Sequence, residues 1–178
     1  MRYAFVLLVI CLVSSLVLGL VYNLVHERIE LQAQEEEDRA LNIALPQAEE
    51  FNKNQIKGIS YYKGIAQGEL LGYVLKVEGT GYAGPIQMLV GIDKEGVIQG
   101  IEILSHQETP GLGSCISEIK PGQSHPWFLE QFEGKDKQQL NFENIQAITG
   151  ATISSRAVMD AVRDNIDKFL FEIEQWPR

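Results

Sequence analysis

The sequence predicts an α+β protein with a single N-terminal transmembrane helix followed by a twisted antiparallel sheet packed with helices. Three observations predict it: an uncharged apolar run at the start, short β-rich segments separated by glycines in the middle, and an amphipathic C-terminal helix. A chain of 178 residues has room for one domain and an appendage. The expected boundaries are a cytoplasmic N-terminus at 1–3, a transmembrane helix at 4–25, an acidic helical stalk at 26–45 and an extracytoplasmic domain at 46–178.

The first of these segments, Ala4 to Val25, reads AFVLLVICLVSSLVLGLVYNLV and contains no charged residue. It reaches the length of about 20 residues that a helix needs to cross a hydrocarbon core. A cleaved signal sequence is the alternative, but its apolar region is usually about 7 to 15 residues long, and no clear A-x-A site follows. Arg2 precedes the run and an acidic stretch follows it. The charges therefore predict that the short N-terminus lies in the cytoplasm and that everything after Val25 lies outside it.

The stalk predicted after this run is rich in helix formers and contains the acidic block Glu35 to Asp38, with Pro46 as its stop. The whole chain has a net charge of −9, which opposes binding to nucleic acid. Cys11 lies in the apolar run and Cys115 lies far downstream. A disulfide between the two is therefore not expected.

Three segments in the middle of the chain are rich in β-branched and aromatic residues: Glu69 to Gly79, Ile86 to Asp93 and Val97 to Leu104. Glycines separate them, a pattern typical of an antiparallel meander, and DKEG is expected to form a hairpin loop. Downstream, SCISEIK and HPWFLEQFEGK predict short helical turns, and NFENIQAI predicts an extended piece. A long helix is expected from about Ser154, because apolar residues then recur on one helical face: Val158, Val162, Ile166, Phe169, Leu170 and Ile173.

Several familiar functional motifs are absent or lack their context. The stretch GTGYAG matches G-x-G-x-x-G, but no helix pattern follows it, so its glycines are expected to shape a hairpin or a close approach to a ligand. The histidines show no metal-ligand spacing, and no metal site is expected. A hydrolase built on Ser154 or Ser155 would need His106 or His125 as its base, and no pattern supports that pairing. No catalytic residue is therefore expected.

The best candidate for a binding site is AITGATISSRAV, where the C-terminal helix starts. The first N–H groups of a helix lack intrahelical partners, and one Ser or Thr cap satisfies one of them. The hydroxyls of Thr149, Thr152, Ser154 and Ser155 exceed that need, and Gly150 permits a close approach. The same donors suit a phosphate. The residues alone leave both interpretations open, a helix cap or an anion site.

The stretches HQETPGLG and TGATISS together resemble the signatures of the FMN-binding domain in the G subunit of Rnf-type electron transport complexes. The same domain occurs in the C subunit of sodium-pumping NADH:quinone oxidoreductase. The resemblance extends over GYAGPIQMLVGIDKEGVIQGIEIL and the N-terminal span, and the short chain looks closer to the Rnf protein. It implies FMN bound covalently by a phosphoester to Thr152, the last residue of a motif that also contains Thr149, Gly150 and Ala151. The family often has an aspartate where this chain has Gln146.

The resemblance also implies a set of flavin-binding residues, with Leu112 as an apolar contact and two serines supporting the phosphate: His106, Glu108, Thr109, Gly111, Leu112, Gly113, Ser154 and Ser155. It implies electron transfer without independent substrate turnover, in a complex that translocates sodium ions or protons. The implied partners are membrane and iron–sulfur subunits, and a flavin transferase for maturation. The span has no ionisable residue, so the ion path is expected in the partners. The alternatives are a stand-alone membrane-anchored FMN-domain relay or sensor, and a structural anchor in which TGATISS is only a cap.

Overall fold

The computed structural model of the protein describes residues 2–174, and the chain divides into two compact units, residues 1–38 and 39–178. The first unit is a helix, α1, which begins at Arg2 and ends at Ala44, so that its last turn belongs to the second unit. By length and composition this helix is able to cross a membrane. The segments predicted as span and stalk therefore form one continuous helix.

The second unit contains an antiparallel sheet in which each strand pairs with the next one along the chain. This confirms the predicted meander, and its last three strands are the ones identified from the sequence. The first two strands were not identified from the sequence. The first of them is mostly polar and exposed, so it shows no apolar pattern. The strands are β1 (Glu50–Ile56), β2 (Ile59–Ala66), β3 (Glu69–Thr80), β4 (Pro85–Asp93) and β5 (Ile98–Ser105).

The two faces of the sheet are covered differently. The long C-terminal helix, α3 (Thr152–Glu174), packs on one face, where Val158 and Phe169 are fully buried with the inward residues of the strands. The last turn of α1 covers part of the other face. A Cβ atom on Gly91 of β4 would collide with the carbonyl oxygen of Ala44, so this close approach requires glycine.

The segment between β5 and α3 contains only short helical elements. The loop after β5 leads into a 3-10 turn at Gly113–Ile116, and α2 comprises Trp127–Glu130. The prediction of an extended piece at NFENIQAI was wrong. The side chain of Asn141 accepts hydrogen bonds from the N–H groups of Glu143 and Asn144, at 3.0 and 3.1 Å, and this folds the segment into turns.

Candidate functional site

The start of α3 is held by its own serine and not by an N-cap side chain. The carbonyl of Ala151 accepts the first helical hydrogen bond, from the N–H of Ser155 at 3.0 Å, which makes Ala151 the N-cap residue. The buried Ser155 hydroxyl donates to that same carbonyl at 2.9 Å and accepts from the N–H of Ile148 at 3.0 Å. Ser155 therefore fixes the turn before the helix, and its hydroxyl faces internal partners.

The first turn of α3 consequently offers free donors beside an exposed hydroxyl. Alanine has no side-chain acceptor, and among residues 2–174 no side-chain oxygen accepts from the N–H groups of Thr152, Ile153 or Ser154. Thr152 is exposed. Gly150 has a φ of 80°, a left-handed conformation that lets the chain turn into the helix. This combination of unpaired amides and a hydroxyl is typical of a phosphate-binding helix start.

A buried carboxylate lies beneath this helix start. Glu108 is only 5% exposed; its Oε1 accepts from the N–H of Ala83 at 2.9 Å, and its Oε2 accepts from the hydroxyl of Ser154. A Cβ atom on Gly113 would lie 2.5 Å from Glu108 Oε2 and 2.8 Å from Ser154 Oγ. Glu108 thus joins the β3–β4 hairpin, its own loop and the first turn of α3.

His106 organises the same loop without reaching the cavity. Its Nδ1 accepts from the N–H of Glu108 at 3.3 Å, so the proton of the neutral ring is on Nε2. Nε2 then donates to Ser117 Oγ at 3.0 Å, and that hydroxyl donates to the carbonyl of Ser114 at 3.2 Å. This chain of hydrogen bonds fixes the backbone position of Glu108.

The thiol that follows this loop is not activated. The pKa of Cys115 is raised by its hydrogen bond to the Glu118 carboxylate, together with burial, and the thiol therefore stays protonated at neutral pH. No group of His, Cys, Asp and Glu side chains arranged to hold a metal ion occurs in the part of the chain that the structure describes.

The helix start and the loop enclose a cavity of about 530 Å³, within the range of about 300–1,000 Å³ that is usual for ligand sites. Its rim carries three large side chains that are exposed, Tyr82, Leu112 and Ile153, at 71, 46 and 55%. Apolar side chains left in water around a cavity are suited to the faces of a planar ligand. The full lining is Tyr82, Glu108, Thr109, Leu112, Gly113, Gly150, Ala151, Thr152, Ile153 and Ser154.

Thr152 also borders two other grooves, which are more polar. One, of about 590 Å³, runs along α3 and is lined by charged residues that include Asp160 and Lys168. The other, of about 530 Å³, contains Gln146. Arg156 lines both, and its guanidinium carbon lies 5.2 Å from the ring centre of Phe142. A cation therefore lies one helical turn beyond Thr152, on two grooves that Thr152 also borders.

Most of the residues expected to bind flavin meet at the first cavity, although their role remains a prediction. Four of them do not line it: His106, Gly111, Thr149 and Ser155. The sequence interpretation missed Tyr82 and Ile153. The signal for Tyr82 was GTGYAG, which forms the β3–β4 hairpin closed by a hydrogen bond from Gly81 N to Gly84 O at 2.9 Å.

Comparison with known proteins decides the family. A family model described as the FMN-binding domain matches residues 81–167, which contain both the hairpin and the start of α3. The G subunit of an ion-translocating oxidoreductase complex from Methanosarcina acetivorans is 33% identical over 174 residues, with 90% of this chain and 89% of that protein covered. The chain belongs to this G-subunit family. The resemblance inferred from HQETPGLG and TGATISS is confirmed.

Other members of the G-subunit family give the same result. The G subunit of a proton-translocating ferredoxin:NAD(+) oxidoreductase complex from Clostridium ljungdahlii is 30% identical over 169 residues, covering 91% of this chain and 87% of that protein. A solved structure of the C subunit of the Na(+)-translocating NADH-quinone reductase from Parabacteroides distasonis has a TM-score of 0.58 at 18% identity. It covers 84% of this chain and 98% of that one, so the fold is shared.

Proposed function

We propose that this member of the G-subunit family is a membrane-anchored flavoprotein of an Rnf-type complex, with FMN esterified to Thr152. The observation that carries the proposal is the position of Thr152. Its exposed hydroxyl lies at a helix start without a side-chain cap, at the edge of a cavity with an apolar rim. A phosphate on this hydroxyl would meet free N–H groups, and a planar ring in the cavity would meet apolar side chains.

The phosphate end is served by groups of this chain. The N–H groups in the first turn of α3 would donate to the phosphate oxygens, and the helix dipole favours a negative charge there. Arg156 lies one helical turn beyond Thr152, on a groove that Thr152 also borders, and would contribute a positive charge. The ester bond joins Thr152 Oγ to phosphorus, so the mass added to the protein is that of FMN less one water. Ser154 and Ser155 would support the phosphate indirectly, because their hydroxyls hold the turn.

The ring end is served by the cavity rim. The side chains of Tyr82, Leu112 and Ile153 would cover the apolar faces of the isoalloxazine, and Thr109 supplies a hydroxyl on the cavity wall. The flavin supplies the electron-carrying chemistry, while the protein positions the ring and sets its electrostatic surroundings. An ester tether keeps the cofactor in place on the outer side of a membrane. We assign no independent substrate turnover to this chain.

The remaining parts of the proposal concern the complex. The relatives are named as subunits of ion-translocating, proton-translocating and Na(+)-translocating complexes. The uncharged segment of α1 would anchor this chain with its N-terminus in the cytoplasm and its FMN domain on the periplasmic or extracellular side. Because that segment contains no Asp, Glu, His, Lys or Arg, the path of the coupling ion would belong to the partner subunits. A flavin transferase would attach the FMN.

The first test is chemical. Full-length protein co-expressed with a flavin transferase, then denatured and precipitated, is expected to keep a yellow chromophore and to gain the mass of FMN less water. Thr152→Val keeps the shape of the side chain but removes the hydroxyl, and it should abolish in-gel flavin fluorescence. Thr152→Ser keeps a hydroxyl and should retain it. A colourless wild-type protein, or fluorescence retained in Thr152→Val, would refute the attachment.

A second experiment addresses the complex. Membranes solubilised gently should release this chain together with other membrane subunits and iron–sulfur proteins, and flavin fluorescence should follow the same band on a native gel. A flavinylated chain that migrates alone would instead support a stand-alone relay or sensor. A chain without flavin would leave only the structural anchor.

A further inference from the structure

The attachment of FMN to Thr152 does not explain why the carboxylate of Glu108 is buried in this site. It lies in the wall of the cavity that also contains Thr152, and it is one of the few buried polar side chains in the described residues. Two segments that are distant in the chain converge on it: Ala83 lies 25 residues before it, and Ser154 lies 46 residues after it. Burial of a carboxylate is costly unless its oxygens receive hydrogen bonds, so its retention at this point calls for a reason.

Hydrogen bonds hold Glu108 at both of its carboxylate oxygens. Each oxygen accepts from a separate donor, the N–H of Ala83 on one side and the hydroxyl of Ser154 on the other. Both donors are neutral, and among the residues that the structure describes no cation forms an ion pair with Glu108. The negative charge is therefore held in place without being neutralised.

The loops packed around Glu108 also fix the position of its carboxylate. Gly81 and Gly113 approach the carboxylate from opposite loops, and a Cβ atom on either would collide with it. The N–H of Glu108 is anchored on His106 Nδ1. A charge fixed in a wall with little access to water acts on its surroundings more strongly than an exposed one, because water screens it less.

We propose that Glu108 is a positioning residue whose fixed negative charge lowers the midpoint potential of the flavin in this cavity. The inference rests on the proposed function, since it assumes FMN on Thr152. A fixed negative charge repels the electrons that are added when a nearby flavin is reduced. It therefore raises the energy of the reduced flavin and disfavours reduction. The hydrogen bonds keep the carboxylate at a constant place relative to Thr152. The tethered flavin, once reduced, would therefore be a stronger reductant than the same flavin in a cavity without this charge.

Two isosteric or near-isosteric variants separate charge from shape. Glu108→Gln keeps the size and removes the charge, whereas Glu108→Asp keeps the charge on a shorter side chain. Glu133→Gln removes a charge from an exposed position outside the cavity and serves as the matched control. Each full-length protein is co-expressed with the flavin transferase, solubilised in detergent and titrated in an optical electrochemical cell. The electrode supplies the electrons and the buffer supplies the protons.

The expected result is an upward shift of the midpoint potential in Glu108→Gln, with Glu108→Asp closer to wild type and Glu133→Gln unchanged. Loss of flavin loading in Glu108→Gln, with Glu108→Asp loaded and titrating as wild type, would assign the carboxylate to flavin attachment and would overturn its role in setting the potential. The inference is overturned if Glu108→Gln loads and titrates as wild type, or if both Glu108 variants change alike. A wild-type protein without flavin would instead refute the proposed function, which distinguishes the two failures.

Discussion

The carboxylates of Asp93 and Glu108 both hold backbone in place, and they do so over very different distances along the chain. Asp93 closes the β4–β5 hairpin; its Oδ1 accepts from the N–H groups of Glu95 and Val97, at 3.0 and 2.9 Å. Glu108 accepts instead from Ala83 and Ser154, which belong to other elements. The Asp93 end of the sheet is a self-contained turn, whereas the Glu108 end is an assembly of three segments around a cavity.

The difference shows where the fold is built for binding. A turn that satisfies its own N–H groups leaves nothing for a ligand, and its carboxylate has a purely local effect. At the other end the carboxylate is occupied in joining loops, and the amides in the first turn of α3 remain free. Damage at the Asp93 end should therefore affect stability alone, while damage at the Glu108 end should affect stability and flavin binding together.

The largest effect is expected from truncating Glu108. Glu108→Ala leaves the N–H of Ala83 and the buried hydroxyl of Ser154 without an acceptor, and it should lower the free energy of unfolding by about 3 kcal/mol. Flavin loading should fall with it, because the loop that carries Leu112 loses its tie to α3. Thermal unfolding and in-gel flavin fluorescence of the full-length protein in detergent measure the two effects.

The matched change at the other end is Asp93→Ala. It removes hydrogen bonds within one partly exposed hairpin and should cost about 1 kcal/mol. Its flavin fluorescence should equal that of wild type. If Asp93→Ala reduced loading as much as Glu108→Ala, loading would depend on general stability, and the contrast between the two ends would be lost.

A smaller loss is expected from Gly113→Ala. The added methyl group would lie within 2.8 Å of both Glu108 Cβ and Ser154 Oγ, and overpacking of this kind costs about 1–3 kcal/mol. Because the displaced groups are in the cavity wall, the absorption spectrum of the bound flavin should also shift. Absorbance and thermal unfolding are measured on the same preparation.

Gly96 provides the comparison for this change at the Asp93 end. Its φ is 87°, so Gly96→Ala is strained and should cost about 1 kcal/mol, and the methyl group would press on the flexible end of the Leu170 side chain. The flavin spectrum should stay unchanged. An altered spectrum in Gly96→Ala, with none in Gly113→Ala, would reverse the assignment of the two ends.

The same contrast explains which parts were predictable from sequence. The DKEG hairpin was predicted because its hydrogen bonds join residues only a few positions apart. The strands β3 to β5 and the helix α3 were predicted because their apolar patterns are strong. The polar edge strand β1 gave no such pattern and was missed.

The candidate site was predictable only in part. The resemblance indicated Thr152 and the loop, but not that Ser154 would bond to Glu108, since those residues lie 46 positions apart. Likewise, the four hydroxyls left a helix cap and an anion site both open, whereas the N-cap residue is Ala151 and the two serines make internal contacts. Contacts between distant segments depend on tertiary packing, which spacing in a single sequence does not encode.

A modest effect is expected from Gln131→Ala, on the approach to Thr152. The Gln131 side chain pairs with the backbone of Gln146, accepting from its N–H at 2.8 Å and donating to its carbonyl at 3.2 Å. Removing these two hydrogen bonds should lower the free energy of unfolding by about 1 kcal/mol and slow the attachment of flavin. A time course of flavinylation in the presence of the transferase measures it, and Gln138→Ala, on an exposed turn, is the control.

The smallest effect is expected at a third carboxyl group, Glu102, where burial works against the charged form. Burial raises the pKa of Glu102 above its ordinary value, and the nearby His125 opposes this only in part. The folded protein then keeps a proton that the unfolded chain releases at lower pH. Stability contributed by this proton is therefore present below the ordinary pKa and is lost as the pH rises through the raised one.

Glu102→Gln should remove that dependence. The variant is expected to unfold at a slightly higher temperature than wild type at neutral pH, and the difference should vanish in acid, where Glu102 is protonated in both states. Thermal unfolding of the full-length protein across a pH series measures the difference. Asp93→Asn, which weakens a satisfied carboxylate, should instead lower the unfolding temperature at neutral pH. If Glu102→Gln were also less stable than wild type there, Glu102 would belong with Asp93 and Glu108 among the carboxylates that hold the fold together.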